Sequence, residues 1–264
     1  MKFWNLFFIV SLLLPNYCNA VVKRHDIPQE QYLVKNVPEY LIDMPHEGHG
    51  VLIAPQWIVT AAHVIFYDYT GKSIKIGGES YTIESVTKHP DYIEPDESLF
   101  KGDAARLMAF FAARSDIALI KLSLPVSSIT PVEIYQEDNE VGQTVTVFGR
   151  GATGNGLIGE DLSTKPLRKM HSFHNKIDGA KGNWLTYKFD SPPDSLPLEG
   201  IHGSGDSGGA SVIFLDGEPY LAGLSSWQYW QGDLSTFKGG LYGTTAYQVR
   251  LSVYKDWILG VLAS

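Results

Sequence analysis

Short apolar stretches recur along the chain, and Gly, Pro, Asp or Asn interrupts them every few residues. The clearest are Gly50–Ile53, Trp57–Thr60, Ser73–Ile76, Tyr81–Val86, Ile117–Leu122 and Thr144–Phe148. Trp184–Phe189, Ser211–Leu215, Tyr220–Ser225 and Leu241–Thr245 follow. Many short strands with turn signals between them predict an all-β fold, an antiparallel barrel or sandwich. Two segments read differently. Asp103–Arg114 joins strong helix formers to an acidic start and a basic end, which suits a helix dipole. Near the C-terminus Val253, Trp257 and Val261 recur every four residues beside Ile258 and Leu262, which predicts an apolar helix face over about 252–263. Glu133–Gly142 is polar and turn-rich, as a linker between two halves would be. No internal repeat is visible.

Residues 1–20 carry a different pattern. Lys2 precedes a nine-residue run, Leu6–Leu14, apolar except for Ser11, which Pro15 breaks before the small residues around Ala20. This is the layout of a secretory signal peptide, and a membrane-spanning helix needs about 20 apolar residues. Cleavage after Ala20 is expected, giving a secreted (periplasmic or extracellular) chain that starts at Val21 and has no membrane attachment. The only cysteine, Cys18, leaves with the leader. A chain of this length has enough core to fold without disulfides.

Composition narrows the partners. The chain has 264 residues, 44% hydrophobic and 19% charged, enough apolar material for a large core. Its net charge of −8 makes it a poor candidate for nucleic acid, whose binding depends on neutralising phosphates.

Three local patterns carry candidate chemistry. Trp57-Ile58-Val59-Thr60-Ala61-Ala62-His63 ends an apolar strand on a histidine, and Ser115-Asp116-Ile117-Ala118-Leu119-Ile120 opens one on an aspartate. Gly203-Ser204-Gly205-Asp206-Ser207-Gly208-Gly209 surrounds a serine with glycines, which admit unusual backbone angles and close approach. Each alone is commonly structural: a core histidine, a strand-edge aspartate, a flexible loop. Together they supply a nucleophile (Ser207), a base (His63) and a carboxylate that fixes the base's tautomer (Asp116). The backbone N–H groups of Gly205 and Ser207 are candidates for an oxyanion hole, where each donor is worth about 3 kcal/mol in the transition state.

Two competing chemistries fail on the same residues. The α/β-hydrolase elbow G-x-S-x-G also fits around Ser207, but that family places its histidine after the serine, and the last histidine here is His202. His46-Glu47-Gly48-His49 approximates a zinc-binding H-E-x-x-H, yet its histidines are three apart rather than four, in a stretch where Pro45, Gly48 and Gly50 disfavour a helix.

These motifs resemble those of the chymotrypsin/trypsin-like serine peptidases. WIVTAAH is similar to the family's histidine motif, SDIALIKL to its aspartate motif and GDSGG to its serine motif. Lys88–Tyr92, Ser225–Trp227, Gly240–Tyr242 and the Trp257-Ile258 ending are similar too. The resemblance covers nearly all of the chain after residue 20. It implies two packed six-stranded antiparallel β-barrels, about 21–135 and 136–252, with a C-terminal helix. It also implies a monomeric endopeptidase for protein or peptide substrates, with no cofactor and no metal. Ser226, Trp227 and Gln228 would pair with the substrate chain, Ile201 would form the floor of the side-chain pocket, and Gly240 would line it. On the same fold, a non-catalytic binding protein or an esterase-like hydrolase remains a competing reading.

The chain also departs from the family. Gly48, Val64 and Gly203 stand where relatives carry cysteines, so the pocket walls are expected to be more mobile. No IVGG sequence occurs, and leader removal itself is expected to free a Val21 amine for Asp206, with Lys23, Arg24 and His25 as alternative partners. With Ile201 as floor, the pocket is expected to be apolar or non-basic, unless Glu199 or His202 faces it. The long segment Glu94–Ser115 is expected to border the substrate cleft.

Overall fold

The structure is a computed structural model and describes residues 21–163 and 169–264. The predicted leader lies outside the described residues. No helix among the described residues is long and apolar enough to cross a membrane.

The fold is mostly β, built from two curled sheets. The first has six strands, in spatial order Leu41–Asp43, His49–Ala54, Trp57–Thr60, Ala118–Leu122, Glu79–Lys88 and Ser73–Ile76. Its two edge strands approach each other, so the sheet nearly closes. The second runs His171–Lys176, Thr144–Gly149, Ala210–Leu215, Glu218–Gln228, Thr245–Arg250, Trp184–Lys188 and Gly179–Lys181, with Glu133–Ile134 pairing Glu218–Gln228 in parallel. Every other pairing in it is antiparallel.

The period-2 rule explains why the central strands are apolar on every residue. In Trp57–Thr60 all four residues are buried. Ile58 points into the first barrel with Leu52, Ile83 and Ile120, whereas Trp57 and Val59 point into a second cluster with Leu119, Val212, Leu224 and Ile258. That second cluster is the seam between the barrels. A strand with both faces covered reads as a continuous apolar run rather than an alternating one. Each such side chain contributes about 1.5–3 kcal/mol by leaving water.

The C-terminal helix runs Lys255–Leu262 after a 3₁₀ turn, with Ile258 buried in the seam. The insertion helix spans Ala105–Ala113, where Asp103 Oδ1 accepts the Ala105 N–H at 2.8 Å. One sequence expectation needs correction. Leu241–Thr245 is not a strand. Gly240 and Gly243 hold φ of +77° and +87° in a turn, and the strand begins at Thr245. Sequence reading also missed His171–Lys176, whose three His and Lys side chains hide the alternation of His171, Phe173 and Asn175 into the interior.

Val21–Lys23 crosses to the second half of the chain. It pairs in parallel with Thr153–Asn155, and Val22 and Lys23 pair with Ile201 and Gly200.

Candidate active site

Strand pairing alone brings the histidine and aspartate motifs together. Trp57–Thr60 and Ala118–Leu122 are antiparallel neighbours, with Thr60 opposite Ala118. The residues just past the end of one strand and just before the start of the other therefore meet at one edge of the barrel. His63 Nδ1 lies 2.7 Å from Asp116 Oδ2, and the His63 backbone N–H donates to Asp116 Oδ1 at 2.9 Å. A carboxylate can only accept here, so Nδ1 carries a proton, which in the neutral ring leaves the lone pair on Nε2.

Ser226 joins them through a strand irregularity. Between Glu218–Gln228 and Thr245–Arg250 the register shifts between Ser225 and Trp227. The extra residue of such a bulge is left unpaired and its side chain re-aimed. Ser226 Oγ donates to Asp116 Oδ2 at 2.5 Å. Arg114, also buried, places Nη2 3.2 Å from the same oxygen. Burial opposes the charge on Asp116, but His63, then Arg114 and Ser226, hold its carboxyl well below the usual range. Sequence reading missed Arg114 and this second role of Ser226. The only signal was an arginine two residues before the aspartate.

The serine loop is pinned from several sides. Asp206 N–H donates to Gly203 O at 3.0 Å, Gly209 N–H to Asp206 O at 2.9 Å, and Gly208 N–H to Ser225 O at 2.8 Å. Ser207 O accepts the His49 N–H at 2.8 Å. Gly205 holds φ of +87° and Gly208 +74°, a region that side-chain-bearing residues avoid. Gly48 and Val64 pack directly. A Cβ on Gly48 would lie 2.9 Å from Val64 Cγ1 and 2.8 Å from Ser207 O.

Asp206 is fully buried, and Gly203 and Gly151 donate their N–H groups to it at 2.8 and 2.7 Å. Burial pushes its carboxyl up to about 6. Val21 is fully buried beside it. A Cβ on Gly149 would collide with Asp206 Oδ1 and come within 2.9 Å of Val21 Cγ1. The alternative partners point elsewhere: Arg24 pairs with Asp26 at 2.6 Å, and His25 Nδ1 lies 2.8 Å from Tyr242 Oη. Lys23 Nζ is buried with no hydrogen-bond partner among the described residues, and burial lowers its pKa to about 8.

His63 and Ser207 line one cleft of about 480 Å³. Ser226, Trp227 and Gln228 also line it. Trp227 is held by a stacked Tyr247 ring, 3.7 Å between centroids and 13° between planes. The insertion supplies Phe100, Leu107, Met108 and Phe111, so Glu94–Ser115 borders the cleft.

Ile201 is buried in the strand that pairs with Val22 and is not among the cleft's lining residues. Its neighbour His202 is, and it is neutral, pushed down to about 3 by burial, with Gln248 Nε2 3.0 Å from its Nδ1. Glu199 lies away from the cleft and accepts the N–H groups of Asp190 and Leu196, both at 2.6 Å. The space beside Ser207 is crossed by the chain's own side chains. Gln228 Nε2 donates to His202 O at 2.6 Å, and its Oε1 accepts the Gly240 N–H at 2.8 Å. Above it Glu160 Oε2 accepts from Ser204 Oγ at 2.7 Å. Glu160 was not foreseen, because it arrives from a hairpin more than forty residues earlier in the chain.

The sequence profile of the trypsin family matches residues 39–258. Complement C1s subcomponent of Sus scrofa is 30% identical over 244 residues, covering 81% of this chain and 32% of that protein. The chain thus spans about a third of that relative's length. Trypsin of Phaedon cochleariae is 26% identical over 246 residues, covering 82% of this chain and 81% of that protein. Among solved structures, neuropsin, a serine protease expressed in the limbic system of mouse brain, superposes with a TM-score of 0.62 at 19% identity. That match covers 91% of this chain and 98% of neuropsin, and it supports the chymotrypsin-like fold. With the profile spanning most of the sequence, the chain belongs to the trypsin family of serine proteases.

Proposed function

We propose that the chain is a secreted serine endopeptidase in which Ser207, His63 and Asp116 form the catalytic triad. The observation that carries this reading is the 2.7 Å pairing of His63 Nδ1 with buried Asp116 in the cleft that Ser207 also lines. Ser207 Oγ attacks the scissile carbonyl carbon while His63 Nε2 takes its proton. Asp116 holds the Nδ1–H tautomer and stabilises the imidazolium. The N–H groups of Gly205 and Ser207 receive the oxyanion. His63 then gives its proton to the departing amine, leaving an acyl-enzyme that water hydrolyses by the same route. Ser226–Gln228 offers its edge to the substrate backbone as an added strand.

Activation fits the same reading. Removal of residues 1–20 frees the Val21 amine beside Asp206, and an ammonium there neutralises a buried carboxylate that would otherwise cost several kcal/mol.

Fluorophosphonate labelling of the secreted, N-terminally sequenced protein tests the proposal. Labelling of the wild type and not of Ser207→Ala, with Val21 as first residue, is the expected result. Labelling with cleavage of small esters but of no peptide amide would turn the reading to an esterase. A folded, correctly processed protein that does not label would be a binding protein on this fold.

A further inference from the structure

One charge in the cleft has no part in the scheme above. Arg114 follows the insertion helix and is 5% exposed. Its Nη2 lies 3.2 Å from Asp116 Oδ2, the oxygen that His63 and Ser226 also approach. Its guanidinium carbon sits 4.4 Å from the Phe111 ring centroid and 5.5 Å from that of Tyr92. Its Nε has no hydrogen-bond partner among the described residues. Two aromatic faces and one carboxylate therefore hold a permanent cation next to the anion that orients the base.

We infer that Arg114 is a positioning residue that acts through Asp116 on His63. Its fixed charge shares the carboxylate and opposes a second positive charge on the imidazole, which keeps the base unprotonated to lower pH. Guanidinium does not lose its proton in proteins, so this bias is constant across the working pH range. The effect is electrostatic at short range in a poorly hydrated site, where a unit charge has far more influence than in water. Packing between rings stops the side chain from swinging out to solvent, as an exposed arginine would. This inference rests on reading His63 as the base.

The other groups around the pair do not supply the same bias. Tyr92 and Tyr254 face Asp116 as phenols raised by burial, Tyr254 to about 12, and stay neutral. His202 is neutral and pushed down to about 3. Glu94, near Arg114, is tied to Lys88 at 2.7 Å and to Tyr92 Oη at 2.9 Å, and its pKa is lowered. Behind Tyr254 lie His89, lowered by burial, and Asp91. Glu160 lines the cleft beyond them. Asp206, whose carboxyl burial pushes up, sits with Gly203 and Gly151 away from Arg114 and is common to every Arg114 variant.

The test is the rate of fluorophosphonate inactivation from about pH 5 to pH 9, which requires no knowledge of the substrate. It compares wild type, Arg114→Gln, Arg114→Met and Arg114→Lys, each checked for folding by thermal melting. In the two uncharged variants the acid limb is expected to move up by about half a unit to one unit, so labelling on the limb slows roughly three- to tenfold. The plateau at high pH stays near wild type, and the lysine variant keeps the wild-type limb. Methionine retains an apolar stem between the rings and carries the test if glutamine does not fold. An unmoved limb in a folded, labelling, uncharged variant overturns the inference, as does an equal loss of rate at every pH. A wild type that does not label overturns the parent reading, and this one with it.

Discussion

Two aspartates in this protein are equally buried and have opposite electrostatics. Asp116 and Asp206 are both fully sequestered from solvent. Burial raises the pKa of each. At Asp116 a histidine, an arginine and a hydroxyl outweigh burial, and the carboxyl stays strongly acidic. At Asp206, His49 and the N–H groups of Gly203 and Gly151 offset only part of the cost, and the value settles at about 6. Backbone dipoles satisfy a carboxylate's hydrogen bonds without neutralising its charge. The sign of the pH dependence differs accordingly. Asp116 is depressed, so its stabilisation is present above about pH 4, the unfolded value, and is lost as pH falls through the folded one. Asp206 is raised, so the folded state binds the proton more tightly. Its stability contribution is greatest at acid pH and falls by about 3 kcal/mol as pH rises from about 4 through 6.

The largest test removes the charge that distinguishes the first site. Asp116→Asn keeps the shape but offers His63 an amide, which can donate to Nδ1 and favour the wrong tautomer. It also leaves Arg114 buried without its anion. A fall in kcat of roughly 10³- to 10⁴-fold is expected at pH 8. A loss below about tenfold would mean that the carboxylate does not orient the base.

The second test supplies or withholds a cation at the other site. A chain beginning at Val21 is compared with one carrying an additional alanine before it. In the extended chain Asp206 has no ammonium partner and takes up a proton as pH falls from 7 to 5, gaining about 1 to 1.5 kcal/mol in urea unfolding. The chain that starts at Val21 is expected to show no such gain, because the proposed ion pair would hold the carboxyl ionised. The extended form is also expected to lose on the order of a hundredfold in kcat/KM. Equal activity of the two chains would remove the Val21 amine from the scheme.

The comparison also explains what could be read from the sequence. The His63–Asp116 contact was legible because each residue sits in a local pattern at the end or start of a strand, and antiparallel pairing of Thr60 with Ala118 converts sequence position into contact, while Ser207 lines the same cleft. The apolar runs Trp57–Thr60 and Ala118–Leu122 were legible because both faces are buried. Arg114 was not, since only the fold turns it towards Asp116 rather than water. The same holds for Glu160, whose hairpin has no pattern that says where it lands. Ile201 ends the strand Gly200–Ile201, buried and paired with Val22, whereas His202, just past that strand, lines the cleft. Gly48 and Val64 read as a missing staple, but the structure puts them in direct contact under Ser207.

The smallest effect concerns the pocket wall that belongs to the Asp206 side. Gln228 spans the space beside Ser207 from His202 O to Gly240 N, and Glu160 caps it through Ser204. A long substrate side chain would have to displace a side chain whose polar ends are already paired. Gln228→Gly opens that space to water, so the freed His202 carbonyl and Gly240 N–H are solvated rather than orphaned. The ratio of kcat/KM for a peptide with leucine before the scissile bond to that for its alanine counterpart is expected to rise by about tenfold, the scale set by a few methylenes in an apolar pocket. Glu160→Ala, which removes the cap and leaves Gln228 in place, should shift the same ratio by less than about threefold. The reverse order of effects would place the size limit at Glu160, above the pocket. No change in either variant would mean that Gln228 swings aside when substrate binds and sets no limit on size.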